Sequence, residues 1–268
     1  MLDRLFDSLS NETYKDFSVL VGDQSEEGVL DSLFMSYEGK FAMQRVRIAP
    51  CSLSEARNFL LPLADGDVIS FADDDCYFAK DAFRFLVEYA QKYPNAGCLV
   101  GEGFSSPVPG DGFLAPAKRL TRYSVFSKCP SWCIFIRTDV CRYVGDFDVS
   151  LGVGAPSPWQ SGDETDYLLR ALSAGQKVLR CPSVHVFHDA ESTLSPNIDK
   201  IFSYGVGRMY LIHKHTMPFW FALANLLYPL VWLVYEFPFL GVGAARKRKA
   251  MFLGRWDGFR RILLGKLG

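Results

Sequence analysis

Apolar residues recur at helical spacing from the first turn of the chain. Leu2, Leu5, Phe6 and Leu9 would share one face, which predicts a helix over 1–10 that ends at Asn11 and a polar stretch. Two short apolar runs, FSVLVG at 17–22 and DVISFA at 67–72, read as buried strands. Between them a helix is predicted over 53–63, capped by Ser52 or Ser54. Further along, the pattern predicts a helix over 79–92, strands over 97–101 and 132–137, a helix over 164–174, a strand over 177–181 and an edge segment over 184–188. Residues 103–131 are rich in Gly, Pro and Ser and read as a long loop of the kind that serves as a lid. Alternating strands and helices imply an α/β fold with a parallel sheet, whose ligands bind beyond the carboxyl ends of its strands. Asp23 and the run Asp73-Asp74-Asp75 both fall at such ends.

The pattern changes near the C-terminus. Residues 218–235 are almost wholly apolar and approach the roughly 20 residues that span a bilayer. Asn225 and Pro229 interrupt them, and the basic run Arg246–Lys249 and an amphipathic stretch over 251–267 follow. A buried soluble helix is one reading. Association with a membrane, spanning it or lying on it, accounts better for an apolar helix beside basic ones.

Composition is that of a globular protein, with 49% hydrophobic and 22% charged residues. The net charge of −1 hides an asymmetry, because from residue 244 onward eight basic residues face Asp257 alone. That tail suits an anionic surface. Seven cysteines include no CxxC pair, so zinc spacing is absent. Cys129 and Cys133 could form a redox or metal pair; buried reduced thiols are the plainer reading and fit a reducing compartment. The amphipathic, acid-bearing start is unlike a signal peptide.

Three groups could carry chemistry. Adjacent carboxylates at Asp73-Asp74-Asp75 repel one another unless a cation lies among them, and Mg²⁺ or Mn²⁺ commonly bridges carboxylate and diphosphate. A solvated acidic turn before the next helix would look the same. Gly162-Asp163-Glu164-Thr165-Asp166 opens a helix and could be a cap or a site. His188 follows an apolar strand as a candidate ligand, with His185 on the opposite face.

In this order the blocks resemble family 2 glycosyltransferases of the GT-A fold, in particular bacterial cell-surface polysaccharide enzymes. The resemblance spans 2–188 and is carried by LDRLFDSLSNETYKDFSVLVGDQS, SLSEARNFLLPLADGDVISFADDD and VGDFDVSLGVGAPSPWQSGDETDYLLRALSAGQKVLRCPSVHVFH. It implies a Rossmann-like mixed sheet flanked by helices in a domain over 1–207, followed by a helical membrane-associating segment over 208–268. By the same resemblance Asp23 would meet the nucleobase, Arg57 would approach the donor, and Asp73 and Asp74 would hold the ribose and sugar. Asp75 and His188 would bind Mg²⁺ or Mn²⁺. Glu164, with Asp163 second, would be the catalytic base. Trp159 would stack on the acceptor, unless it is a core aromatic. Members of the family normally begin with a strand ahead of the first helix, and the sheet here is expected to lack it.

The implied activity is inverting transfer from a nucleotide sugar, UDP- or dTDP-linked, to a glycan or lipid-linked hydroxyl at the cytoplasmic face of a membrane, with no nucleic-acid partner. A nucleotidyltransferase that makes the nucleotide sugar, and a non-catalytic membrane-bound remnant, are the competing readings.

Overall fold

A computed structural model describes residues 1–108, 112–127, 129–189 and 197–266, with the backbone alone over 236–242. Its elements, in order, are α1 (Leu2–Ser10), β1 (Ser18–Asp23), α2 (Asp31–Ser36), β2 (Ala42–Arg47), α3 (Leu53–Leu60), β3 (Val68–Ser70), β4 (Cys76–Phe78), α4 (Ala82–Lys92), β5 (Ala96–Phe104), β6 (Lys118–Arg119), β7 (Ile134–Arg137), α5 (Thr138–Val144), α6 (Asp163–Ser173), β8 (Lys177–His188), α7 (Ile198–Lys214) and α8 (Phe219–Leu263). The chain forms two compact units. The first holds Met1–Cys51, Ala56–Asp146 and Tyr167–Asp189; the second holds Ser52–Glu55, Phe147–Asp166 and Ala190–Gly268.

The first unit is a mixed α/β structure. β1 and β2 pair in parallel as one sheet, and a second sheet runs β3-β7-β5-β8-β4 with β6 also on β8. In the second sheet only β5 and β8 are parallel to each other. The parallel sheet expected from strand–helix alternation is therefore mixed, because hairpin-like returns such as β7 and β4 alternate with the crossovers. The segment expected as a separate edge strand over 184–188 is the second half of the single strand β8. It lies inside the sheet, between β5 and β4. A register shift against β5 between Val100 and Glu102 marks the place where the two halves read as separate runs. The core is built from α1, α4 and the sheet, with Phe6, Tyr89, Leu99, Ile136 and Val186 buried. The long loop contains β6, and just after it Leu120 N–H donates to Val178 O at 2.8 Å. Residues 109–111 and 128 of the expected lid lie outside the described residues.

The second unit is helical and held by close backbone approaches. A side chain at Gly254 would strike the carbonyl of Phe202, and one at Gly205 would lie 2.9 Å from Met251 O and Arg255 N. These glycines let α7 and α8 pack backbone to backbone. The expected domain boundary at 207/208 falls within α7, which belongs with α8 to the second unit.

Helix α8 reverses along its length. Arg255 donates to the Asn225 carbonyl, yet 30 helical residues rise about 45 Å. Arg248 also lies 5.7 Å from the ring centre of Tyr228. The helical run is therefore a hairpin of two arms that turns between Trp232 and Arg248, a stretch containing Pro238, Gly241 and Gly243. Among the described residues no helix is long and apolar enough to cross a membrane.

Candidate active site

The acidic run lies between β3 and β4. Asp73 and Asp75 alternate about Asp74, so two carboxylates turn one way and the third turns to solvent. Antiparallel pairing sets Cys76 of β4 opposite His188 of β8, and this register delivers the imidazole to the aspartates. One ligand atom each from Asp73, Asp75 and His188 lie within 4.8 Å of one another. His188 stacks on Trp132 at 5.4 Å and 16°.

Hydrogen bonding at His188 tests whether a cation fits. Nδ1 is 2.9 Å from the carbonyl oxygen of Asp189, which can only accept, so Nδ1 carries the proton. In a neutral ring Nε2 then offers a lone pair, and it faces Asp75 Oδ1 at 3.0 Å. Two acceptors at that distance need a proton or a cation between them. A backbone carbonyl behind the other ring nitrogen is the usual support of a metal-bound histidine. Two carboxylates and one imidazole form a donor set that suits a divalent ion. Burial pushes the Asp73 carboxyl up, opposed by Arg57, whose guanidinium lies 3.4 Å away. Ser131 Oγ lies 3.4 Å from each of its oxygens. Asp73 thus joins Asp75 and His188 in the group that could hold a metal ion, and the i, i+2 spacing is the signal for it in the sequence. Asp74 is exposed and outside the cluster.

Asp23 ends β1 and is 2% exposed. Its Oδ1 accepts from the amide and hydroxyl of Ser25, at 2.8 and 2.6 Å. Its Oδ2 meets Arg45 at 2.6 Å and Arg47 at 2.6 Å. Burial alone would raise this carboxyl, but the Ser25 groups and the two guanidiniums outweigh it and hold it below the usual range. Both oxygens accept from groups inside the protein. Arg47 remains half exposed beside it.

In the second unit, the glycine-rich block explains the start of α6. Ser52 caps α3 through a reciprocal box, its amide donating to Glu55 Oε2 at 2.9 Å and its hydroxyl accepting from Glu55 N–H at 3.3 Å. Gly152 holds φ +89°, and a Cβ there would lie 2.9 Å from Ser54 Oγ and 3.0 Å from the Asp163 carboxyl. The missing side chain is what lets Ser54 and Asp163 approach one another. Asp163 is buried; Glu164 is half-buried, and its Oε1 accepts from Thr165 Oγ1 at 3.2 Å. Asp166, 0% exposed, is held by Lys214 at 2.6 Å and His215 at 2.8 Å, and Lys214 also reaches Asp148 at 2.6 Å. These partners lie 48 and 49 residues along the chain, too far for any local pattern to show. Trp159 is buried and stacked on Tyr210 at 4.5 Å and 10°. It is a core aromatic, with no open face for a sugar. Among the described residues the cysteines form no disulfide, and all but Cys51 are buried. Burial raises the Cys133 thiol well above its usual range, and Cys129 lies 3.3 Å from an Arg180 nitrogen.

Residues 1–115 match the family described as glycosyl transferase family 2. That match covers less than half of the chain. No curated protein matches it. Among solved structures, Staphylococcus aureus TarS 1–349 in complex with UDP-GlcNAc is 12% identical with a TM-score of 0.59, covering 97% of this chain and 88% of that one. A longer TarS structure is covered over 52% of its length, so this chain spans about half of it. A mannosyltransferase from Pyrobaculum calidifontis, in complex with GDP-Man and Mn²⁺, is 12% identical with a TM-score of 0.66, covering 96% of this chain and 83% of that one. At such identity the likeness establishes the fold, which is GT-A.

Proposed function

We propose that the protein transfers a sugar, with inversion, from a UDP- or dTDP-linked donor to a hydroxyl of a glycan or lipid-linked acceptor at the cytoplasmic face of a membrane, in cell-surface glycan synthesis. The observation that carries this reading is the convergence of Asp73, Asp75 and His188 within a GT-A sheet. The imidazole in the donor set favours Mn²⁺ over Mg²⁺, which prefers oxygen alone. A cation held there would neutralise charge on the departing diphosphate. Arg57, beside Asp73, adds a fixed positive charge on the donor side.

Glu164 serves as the base. It is the more open of the acidic pair, whereas Asp163 is buried against Ser54. The acceptor oxygen attacks the anomeric carbon as its proton passes to the Glu164 carboxylate. The bond from that carbon to the donor phosphate breaks, and its electron pair leaves on the diphosphate. Asp163 supports the first turn of α6.

Thermal stabilisation by UDP that requires Mn²⁺, and that is lost in Asp75→Asn, is the expected first result. A sugar-1-phosphate with nucleoside triphosphate giving the larger shift would favour the nucleotidyltransferase instead, and no shift at millimolar ligand would favour the remnant. With donor binding in hand, Glu164→Gln is expected to abolish transfer while UDP still binds. Full transfer by both Glu164→Gln and Asp163→Asn would remove the base assignment.

A further inference from the structure

The two arms of α8 meet around Tyr228. The Arg255 guanidinium lies 5.4 Å from the centre of that ring and the Arg248 guanidinium 5.7 Å. Arg248 is also 5.8 Å from the ring of Trp232. Arg255 is buried, and one of its terminal nitrogens donates to the Asn225 carbonyl. Its Nε is buried as well and has no acceptor within the described protein. Two cations drawn to one ring repel each other, and the ring's negative face offsets only part of that. Burial, then Arg208 and Arg248 against a counteracting Tyr228, draw Arg255 down to about 9. One anion seated at these guanidiniums would relieve the repulsion and satisfy the orphaned donor together.

The surroundings say what kind of anion. On the first arm Trp220, Leu223, Leu227, Val231 and Val234 are exposed and follow one another at intervals of three or four residues, which places them on one face. Such a contiguous apolar stripe is unusual on a surface that meets only water. At the start of the second arm Arg246 and Lys249 are exposed. Apolar stripe, interfacial aromatics and cations side by side match a phospholipid, with acyl chains on the stripe and phosphate at the cations.

We propose that the α8 hairpin lies in the surface of an anionic bilayer, with Arg248 and Arg255 taking the phosphate of a lipid headgroup beside Tyr228 and the stripe from Trp220 to Val234 resting among acyl chains. The proposal deepens the membrane part of the function proposed above and rests on that part alone; it does not depend on the sugar chemistry.

Flotation of the full chain with phosphatidylcholine vesicles, with and without phosphatidylglycerol, tests it. Wild type is expected to float with the anionic vesicles and to be released by salt. Arg248→Gln is expected to weaken that partition about fivefold. Arg119→Gln, an exposed cation on β6, is expected to leave it unchanged. The double variant Val231→Ser, Val234→Ser is expected to weaken binding to anionic vesicles with circular dichroism unaltered. Arg255→Gln is informative only alongside these, since a buried residue can fail to fold. Equal flotation on both vesicle types would overturn the anionic bilayer proposed here, since phosphatidylcholine also carries a phosphate, and leave the membrane reading standing. Flotation on neither would overturn both. Equal losses in Arg248→Gln and Arg119→Gln would reduce the effect to overall charge and overturn the site. Stabilisation by inorganic phosphate without flotation would place a free anion at the arginines and overturn the lipid.

Discussion

Glu12 follows α1, is 1% exposed, and has one carboxyl oxygen without a partner. The other oxygen accepts from Thr13 N–H at 3.2 Å. Burial pushes this carboxyl up to about 7 from an ordinary 4.5, against the opposing amides of Phe83, Tyr14 and Thr13. The folded protein therefore holds the proton to higher pH than the unfolded chain does. The stability contribution is complete below the unfolded value of 4.5 and is lost as pH rises through about 7. The difference of 2.5 units corresponds to about 3 kcal/mol once both states are ionised, and to about 1 kcal/mol at pH 5. Glu12→Gln keeps the accepting oxygen and removes the titration. Urea denaturation at pH 5 and pH 8 should show the variant gaining on wild type by about 2.5 kcal/mol between the two. A stability difference that stays flat across this range would falsify the burial argument, because an ionised Glu12 at both pH values carries no such penalty.

Two other outcomes follow from the second unit. Lys214→Met removes the cation shared by Asp148 and Asp166; the buried Asp166 keeps only His215 among these partners, and thermal denaturation should show a loss of about 2–3 kcal/mol. Gly152→Ala forces a side chain into a left-handed position against Ser54 and Asp163, costing about 1–3 kcal/mol by denaturant titration. The same variant should lower transfer more than it lowers the Tm, since the group it displaces is next to the proposed base.

Much of the secondary structure was legible because its signals are local. The helix over α1 follows from four apolar residues at helical spacing, and the start of α3 from the serines at its cap. Strand β2 and helix α7 escaped notice. β2 alternates Arg with apolar residues in a run that looks solvated until Arg45 and Arg47 are seen to serve Asp23. α7 carries Gly205, which lowers helix propensity, and its advantage is visible only against the backbone of α8. Of the site, the acidic run and His188 were readable as residue types, and the DxD alternation held the hint that Asp73 joins Asp75.

The sequence by itself determined the family blocks, the acidic run, the basic tail and the apolar segment before it, because composition and short-range periodicity are written along the chain. Only the tertiary structure decided that β4 and β8 pair so as to bring His188 to the aspartates. It alone decided that the carboxylate of Asp23 and the ring of Trp159 meet internal partners, and that the apolar segment folds back as one arm of a hairpin. Each of these turns on contacts between residues tens of positions apart, and burial, register and close backbone approach are set by what packs on a residue, not by its neighbours in the chain.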